Sequence, residues 1–150
     1  MICSPWTRSR ARLVVLSACE TGVTAVTEAA EEYVGLPAGF LIAGAPAVVA
    51  SLWPVNDAST GLLMERFYEN HLERGMEVAE ALCEAQRWLR TLPLEEALAR
   101  YEPYLRRGQE RMSIAAAVAR YKELVTRSKP YPFAEPYFWA PFVAVGAVMS

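Results

Sequence analysis

One cysteine of this chain occupies a position that suits nucleophilic chemistry. The apolar run Leu-Val-Val-Leu at 13–16 is followed by Ser-Ala-Cys-Glu-Thr-Gly at 17–22, so Cys19 comes soon after a segment that can form a buried strand. A buried strand fixes the backbone, and the loop that follows it exposes a side chain, which is how a scaffold presents a reactive group. Cys19 is therefore a candidate nucleophile, although a cysteine in this setting is also often a small core residue.

A base for Cys19 is harder to find in the sequence. A cysteine nucleophile needs a base or a lowered pKa, because the thiolate reacts and the thiol hardly does. The 150 residues contain a single histidine, His71, near the end of a predicted helix over 58–74. The helix dipole favours a cation there. Since this helix follows the second predicted strand, we interpret His71 as a surface or edge residue rather than as the base.

The cysteines give no sign of a metal site or a disulfide. Cys3, Cys19 and Cys83 form no Cys-x-x-Cys pair, and one histidine cannot complete a zinc site. Widely spaced free thiols are typical of a reducing compartment, which predicts a cytoplasmic location. The phosphate-loop, dinucleotide, zincin and serine-hydrolase motifs are absent, so we expect neither a metal nor a cofactor. Cys83 falls within a helical pattern and is predicted to be a small core residue.

The composition predicts a folded domain that binds neither nucleic acid nor a membrane. Hydrophobic residues make up 53% of the chain and the net charge is −2, without a long run of one sign. The first dozen residues lack the apolar segment of a signal peptide. The uncharged run 34–53 is long enough to cross a bilayer, but Pro37, Gly44 and Pro46 interrupt it. We interpret this run as a buried helix followed by a buried strand.

The order of the elements alternates strands and helices. Strands are predicted over 13–18, 47–53 and in the final apolar segment 139–146, and helices over 28–44, 58–74, 76–92 and a helical region 94–127. Both early strands are continuous apolar runs, which is typical of strands covered on both faces. We expect them to be adjacent and parallel, joined by the helix 28–44, with 142–145 in the same sheet, in an α/β fold. Asp57 and Ser59 are candidate N-caps of the helix that follows.

The region 94–127 differs from the rest of the chain because it is strongly charged and contains Pro103 and Gly108. Within it, apolar side chains recur at helical spacing at Ile114, Val118, Tyr121 and Val125. This stripe predicts one amphipathic helix. The helix either packs on the edge of the domain or binds a partner.

Four segments, in this order and spacing, resemble the CHAT domain, the caspase-like peptidase domain associated with tetratricopeptide repeats. They are VVLSACETG at 14–22, GLPAGFLIAGA at 35–45, VVASLWPVND at 48–57 and PYFWAPFVAVG at 136–146. The resemblance extends from about Leu13 to Gly146. It implies a caspase-like three-layer sandwich, in which helices cover both faces of a mostly parallel sheet.

The resemblance also implies roles for individual residues. Cys19 matches the catalytic nucleophile of the family, and Asp57 lies near the pocket for the residue before the cut bond. A carboxylate there would favour a basic substrate side chain; the alternative is that Asp57 is only a helix N-cap. In the family the partner histidine stands in a His-Gly turn that ends the preceding strand. No such strand precedes residue 13, so 1–150 is expected to be a partial CHAT domain without its N-terminal half, with a charged helical insertion at 94–130.

The implied reaction is peptide-bond hydrolysis through a thioester at Cys19, with a protein or peptide substrate. Without the upstream histidine we expect the chain alone to be inactive, and its bare strand edge to cause self-association. Family habit implies a bacterial protein and partners that include tetratricopeptide-repeat regions. A non-catalytic protein-interaction module remains the alternative.

Overall fold

The computed structural model describes residues 11–17, 29–107 and 130–146, and all structural statements concern these residues. The elements are β1 (Val14–Leu16), α1 (Ala29–Ile42), β2 (Ala47–Ser51), α2 (Asp57–Tyr68), a π-helical turn (Glu69–Glu73), α3 (Val78–Arg90), α4 (Leu94–Arg107), a short α5 (Pro136–Trp139) and β3 (Phe142–Gly146). The predicted alternation of strands and helices is confirmed.

The three described strands form one sheet in the order β1-β2-β3. β1 runs parallel to β2, with Val14 opposite Val48 and Leu16 opposite Ala50. β3 runs antiparallel to β2, with Ser51 opposite Phe142. The expected parallel neighbours and the third strand in the same sheet are therefore confirmed. Within the described part of the chain the sheet is mixed, since one strand pairing is parallel and the other antiparallel.

β2 is covered on both faces, which explains why its sequence is a continuous apolar run. All five of its residues are buried. Val48 and Ala50 pack with Phe40 and Leu41 of α1 on one face. Val49 packs on the opposite face within the larger cluster built by α2 and α3, whose buried members include Leu63, Phe67, Ala81, Leu82 and Ala85. This gives three layers, with α1, the sheet and the α2–α3 pair in turn.

The uncharged run 34–53 is divided as the sequence predicted. α1 ends at Ile42, and Gly44 has a φ of +99°. The amide of Gly44 donates to the carbonyl of Leu41, and that of Ala45 donates to Phe40. This is the Schellman pattern of a helix end, which glycine favours because it adopts a positive φ without a steric penalty. Among the described helices, none is both long and apolar enough to span a bilayer.

α3 packs through a stripe that differs in one position from the prediction. Ala81, Leu82, Ala85 and Leu89 are buried, as the helical periodicity indicated. Cys83, predicted to be a core residue, is exposed. The prediction was wrong because Cys83 lies one residue after Leu82, and a rotation of about 100° per residue turns its side chain away from the core.

α4 is attached to the α2–α3 layer by charged groups as well as by apolar contacts. The Arg100 guanidinium lies 3.6 Å from Glu65, 3.4 Å from Glu69 and 3.5 Å from Glu96. Arg66 pairs with Glu69 at 3.0 Å. Arg66 and Arg100 both lie over the Trp88 ring, at 5.5 and 5.0 Å, within range of cation–π attraction. The predicted stripe at 114–125 lies outside the described residues, and the charged insertion at 94–130 stays a prediction.

The stabilisation that Glu69 provides with Arg66 and Arg100 depends on pH. Burial alone would raise the pKa of its carboxyl, but the hydrogen bond from Arg66 and the charge of Arg100 outweigh burial, so the pKa lies below its ordinary value of 4.5. A carboxyl whose pKa is lowered by folding stabilises the fold above its ordinary pKa. That contribution is lost as the pH falls through the lowered value.

We predict that Glu69→Gln lowers the urea midpoint of unfolding at neutral pH, and that the difference from the original chain shrinks as the pH falls below 4.5. Urea titrations at several pH values measure it. Glu84→Gln is the matched control, because Glu84 pairs with Arg87 on an exposed surface and such pairs contribute little. Equal effects of the two substitutions at neutral pH would contradict the prediction.

Gly146 closes the end of the sheet where β2 begins. Its φ is +124°, and an added Cβ would lie 2.3 Å from the carbonyl oxygen of Pro46 and 3.0 Å from the Cα of Ala47. No side chain fits there unless the backbone of β2 moves. The glycine of the final sequence segment is therefore required by the close approach of two strands.

We predict that Gly146→Ala destabilises the fold by at least about 1–3 kcal/mol, the usual cost of a strained backbone conformation. Gly39→Ala is the control, because a Cβ at Gly39 meets no atom within 4 Å and alanine favours the helix by up to about 1 kcal/mol. Urea unfolding at a fixed protein concentration compares the two. A Gly146→Ala chain as stable as the original would show that the strand ends can separate freely.

Candidate functional site

The chain leaves β1 at the same edge of the sheet as the loop that follows β2. β1 and β2 are parallel, so Leu16 at the end of β1 lies beside Ala50, one residue before β2 ends. Ligands of parallel sheets bind outside the carboxyl ends of the strands. Ser17 is exposed at this edge. Cys19, the predicted nucleophile, lies outside the described residues, and its role stays a prediction.

Two segments meet beside this exit and form what we call the aromatic wall, defined as residues 52–54 and 137–141. The amide of Leu52 donates to the carbonyl of Pro141 at 2.9 Å. The Trp53 indole N–H donates to the Tyr137 carbonyl at 3.4 Å, and the Tyr137 hydroxyl donates to the Pro54 carbonyl at 3.4 Å. Leu52 is 55% exposed, so the wall presents an apolar side chain to solvent.

The second segment of the wall is held by aromatic packing behind it. Pro136 begins the short α5, a position that suits proline because its missing N–H needs no partner. The Phe138 ring packs edge-on against the buried Phe133, with centroids 5.4 Å apart. The Trp139 indole donates to the Ala134 carbonyl at 3.2 Å. These contacts explain why the sequence before β3 is rich in proline and aromatic residues.

The helix after β2 is capped by a residue that the sequence analysis did not choose. Asn56 Oδ1 accepts hydrogen bonds from the amides of Ala58 at 3.0 Å and Ser59 at 3.2 Å. Asn56 is therefore the N-cap, and the assignment of the cap to Asp57 or Ser59 was wrong. Asp57 is the first residue of α2. With the cap assigned to Asn56, a substrate-binding role for Asp57 stays a prediction.

His71 lies at the other end of the parallel strands. With Leu13, Val15 and Ala47 it lines an open groove of about 620 Å³ beside the start of β1 and β2. Its Nδ1 is 2.8 Å from the Met76 carbonyl oxygen. Because a carbonyl only accepts, Nδ1 carries the proton. The chain continues toward Cys19 from the opposite, carboxyl end of β1, which agrees with the interpretation of His71 as an edge residue.

A π-helical turn places His71 in this position. The Arg74 amide donates to the Glu69 carbonyl at 3.2 Å, five residues back. Asn70, which is 1% exposed, donates from Nδ2 to the Ala81 carbonyl at 3.2 Å. The His71 ring is stacked on Phe67, with centroids 6.0 Å apart. Nothing in the periodicity of 58–74 signals the turn. Among the described residues, no cluster of three or more metal-ligating side chains is present.

Comparison with known proteins agrees with the arrangement of these elements. The family model of the CHAT domain matches residues 3–147. The chain belongs to the CHAT domain family. Its described part is a mixed α/β fold compatible with the caspase-like architecture of that family. Neither the curated proteins nor the solved structures include a match to this chain.

Three of the four CHAT segments are described in whole or in large part, and two of them build the site edge. The segment 48–57 forms most of β2 and the first half of the aromatic wall, and 136–146 forms α5, the second half of the wall and β3. The segment 35–45 supplies the end of α1 and the turn into β2. The recognisable sequence of the family therefore concentrates on the sheet and on its carboxyl edge.

We predict that Asn56→Ala destabilises the domain by about 0.5–2 kcal/mol, because two amides at the start of α2 lose their acceptor. Asp57→Asn, which removes only a charge near the helix N-terminus, should cost no more than about 0.3–1 kcal/mol. Thermal or urea unfolding of both variants measures the difference. A larger loss for Asp57→Asn than for Asn56→Ala would contradict the assignment of the cap.

Proposed function

We propose that this chain is the nucleophile-bearing part of a CHAT-type cysteine peptidase. In the proposed reaction a base takes the proton of the Cys19 thiol, and the thiolate attacks a peptide carbonyl carbon to form a C–S bond. The C–N bond then breaks as the protonated base gives this proton to the leaving amine. Water then hydrolyses the thioester, which releases the acid and restores the thiol. The observation that carries the proposal is the parallel register of β1 and β2, because it brings the exit toward Cys19 beside the aromatic wall.

The proposed reaction takes its base from outside these 150 residues. The single histidine, His71, lies beside the amino ends of the parallel strands, whereas the chain leads toward Cys19 from the carboxyl end of β1. A general base must be within about 3 Å of the proton that it removes, or one water away. In the CHAT family a His-Gly turn on the strand before the cysteine strand supplies this base. We propose that 1–150 is a partial domain and has no peptidase activity by itself.

The unpaired edge of β1 supports the proposal that 1–150 is a partial domain. Within the described residues, β1 pairs with β2 on one side and with no strand on the other. An unpaired strand edge is a template for another strand. We propose that the edge receives the strand that carries the histidine, and that without such a strand the chain self-associates through it.

The substrate in this proposal is a protein or peptide. The exposed Leu52 and the neighbouring Trp53 offer an apolar and aromatic surface, and a carboxylate at Asp57 would favour a basic side chain. A cytoplasmic, bacterial setting and partners with tetratricopeptide repeats belong to the proposal as properties of the family.

A non-catalytic interaction module is the second candidate. Exposed apolar side chains favour it, namely Leu36 at 55%, Ile42 at 87% and Leu72 at 70% exposed. An exposed apolar side chain that a partner covers on binding adds to the hydrophobic stabilisation of the complex. In this case Cys19 would be dispensable for the function of the chain.

A fusion tests the peptidase proposal. We predict that the chain alone scatters light as an oligomer and cleaves no member of a peptide library. Joining the strand-and-His-Gly half of a complete CHAT domain ahead of residue 1 should give a soluble protein that cleaves peptides. Cys19→Ala should lower that rate by at least about a thousandfold, the usual cost of losing a nucleophile. Mass spectrometry of the library and light scattering are the measurements.

Two variants serve as controls in the fusion. Cys83→Ala removes an exposed thiol on α3 and His71→Gln removes the only histidine of the 150 residues; both should leave cleavage unchanged. Cys19-dependent cleavage by a monomeric isolated chain would overturn the assignment of the base. A folded fusion that cleaves nothing would refute the peptidase proposal and favour the interaction module.

A further inference from the structure

One side chain of α3 connects the helical layer to the turn before β3. Gln86 donates from Nε2 to the Trp139 carbonyl at 2.9 Å and to the Phe142 carbonyl at 2.8 Å. Both partners are carbonyl oxygens, which only accept, so the NH₂ group of the amide must face them. Each of its two hydrogens therefore has a partner in the turn 139–142.

The same turn holds the aromatic wall. Between the two carbonyls bound by Gln86 lies Pro141, which is buried. The Pro141 carbonyl accepts from the amide of Leu52 at 2.9 Å. Hydrogen bonds thus connect α3, through the turn 139–142, to Leu52, the first residue after β2. Tyr137 and Trp53 extend this connection across the wall by their own hydrogen bond.

The backbone of α3 at Gln86 is held firmly by the core. Ala85 and Leu89, which flank Gln86 along the helix, are both fully buried in the main core cluster. Trp139, in contrast, ends the short α5, and Phe142 begins β3, so the backbone carbonyls of this connection need partners from elsewhere. A planar amide with two donors fixes both its position and its orientation, which an apolar side chain of the same length cannot do.

We propose that Gln86 is a positioning residue for the substrate: it fixes the aromatic wall beside the exit toward Cys19 and so sets the affinity for the peptide. This rests on the proposed peptidase function. Gln86 acts through the turn and the wall and takes no part in bond breaking. Its loss weakens substrate binding more than it slows the chemical step.

A purely structural role of Gln86 predicts a different pattern of amide exchange. If Gln86 only adds to the overall stability, its removal speeds amide exchange at all buried positions together, through global unfolding. If it positions the wall, exchange rises at the Leu52 amide while Val48 and Val49, in the centre of the sheet, keep their protection. The comparison is made within one folded protein and does not depend on enzymatic activity.

The experiment compares Gln86→Met with Arg87→Met, which places the same side chain at an exposed position of the same helix. NMR hydrogen exchange on the soluble fusion should show a rise of about tenfold or more at the Leu52 amide in Gln86→Met, in line with the loss of two hydrogen bonds. Arg87→Met should leave exchange at Leu52 unchanged. Gln86→Glu, which loses both donors at neutral pH, is the second variant and carries the same expectation.

In the active fusion, with the best-cleaved library peptide as the probe, Gln86→Met should raise KM by about threefold to tenfold and change kcat less. An unchanged Leu52 exchange rate, or a rise shared equally by Val48 and Val49, overturns the inference. A local rise with an unchanged KM also overturns it, because the wall would then not bind the peptide. If no fusion cleaves any peptide, the proposed function fails, and so does the claim that Gln86 sets the affinity for a substrate. The exchange result then still decides whether Gln86 fixes the aromatic wall.

Discussion

The fold depends on one constraint: β2 must be buried on both faces while its two edges pair with β1 and β3. All five residues of β2 are buried, so α1 is needed on one face and the α2–α3 pair on the other. The parallel pairing with β1 then determines which end of the sheet carries the site, because β1 and β2 both end at the same edge of the sheet. The antiparallel pairing with β3 brings the aromatic segment 137–141 to that edge as well.

Long apolar runs predicted the order of strands and helices well, whereas the local hydrogen bonds of caps and turns could not be predicted. The apolar runs at 13–18 and 47–53 predicted two strands, of which β2 is fully buried and β1 is half-buried. Gly44 and Pro46 predicted the break within the run 34–53. In contrast, Asn56 and Asp57 are both good capping residues, and only the geometry decides between them. The π turn at 69–73 leaves no trace in the sequence. Cys83 was placed in the core because a cysteine among apolar neighbours suggests burial, whereas the phase of the helix turns it outward.

The candidate site was predictable to a more limited extent. Cys19 was singled out by its position after an apolar run and by the CHAT resemblance, and the family assignment is confirmed over 3–147. Gln86 could not be found in this way. It stands between Ala85 and Arg87 on α3, and nothing in the neighbouring sequence indicates its partners. Its two acceptors lie 53 and 56 residues further along the chain, so only the folded structure brings them together.

The close contact between Gly146 and the start of β2 has a consequence for how the domain can be joined to others. Ala47 and Gly146 are partners in the antiparallel pairing, so β3 delivers the chain to the amino end of β2. That end of the sheet is opposite to the aromatic wall. A domain or an affinity tag attached after residue 146 therefore emerges on the side away from the candidate site, and its linker does not need to cross the aromatic wall.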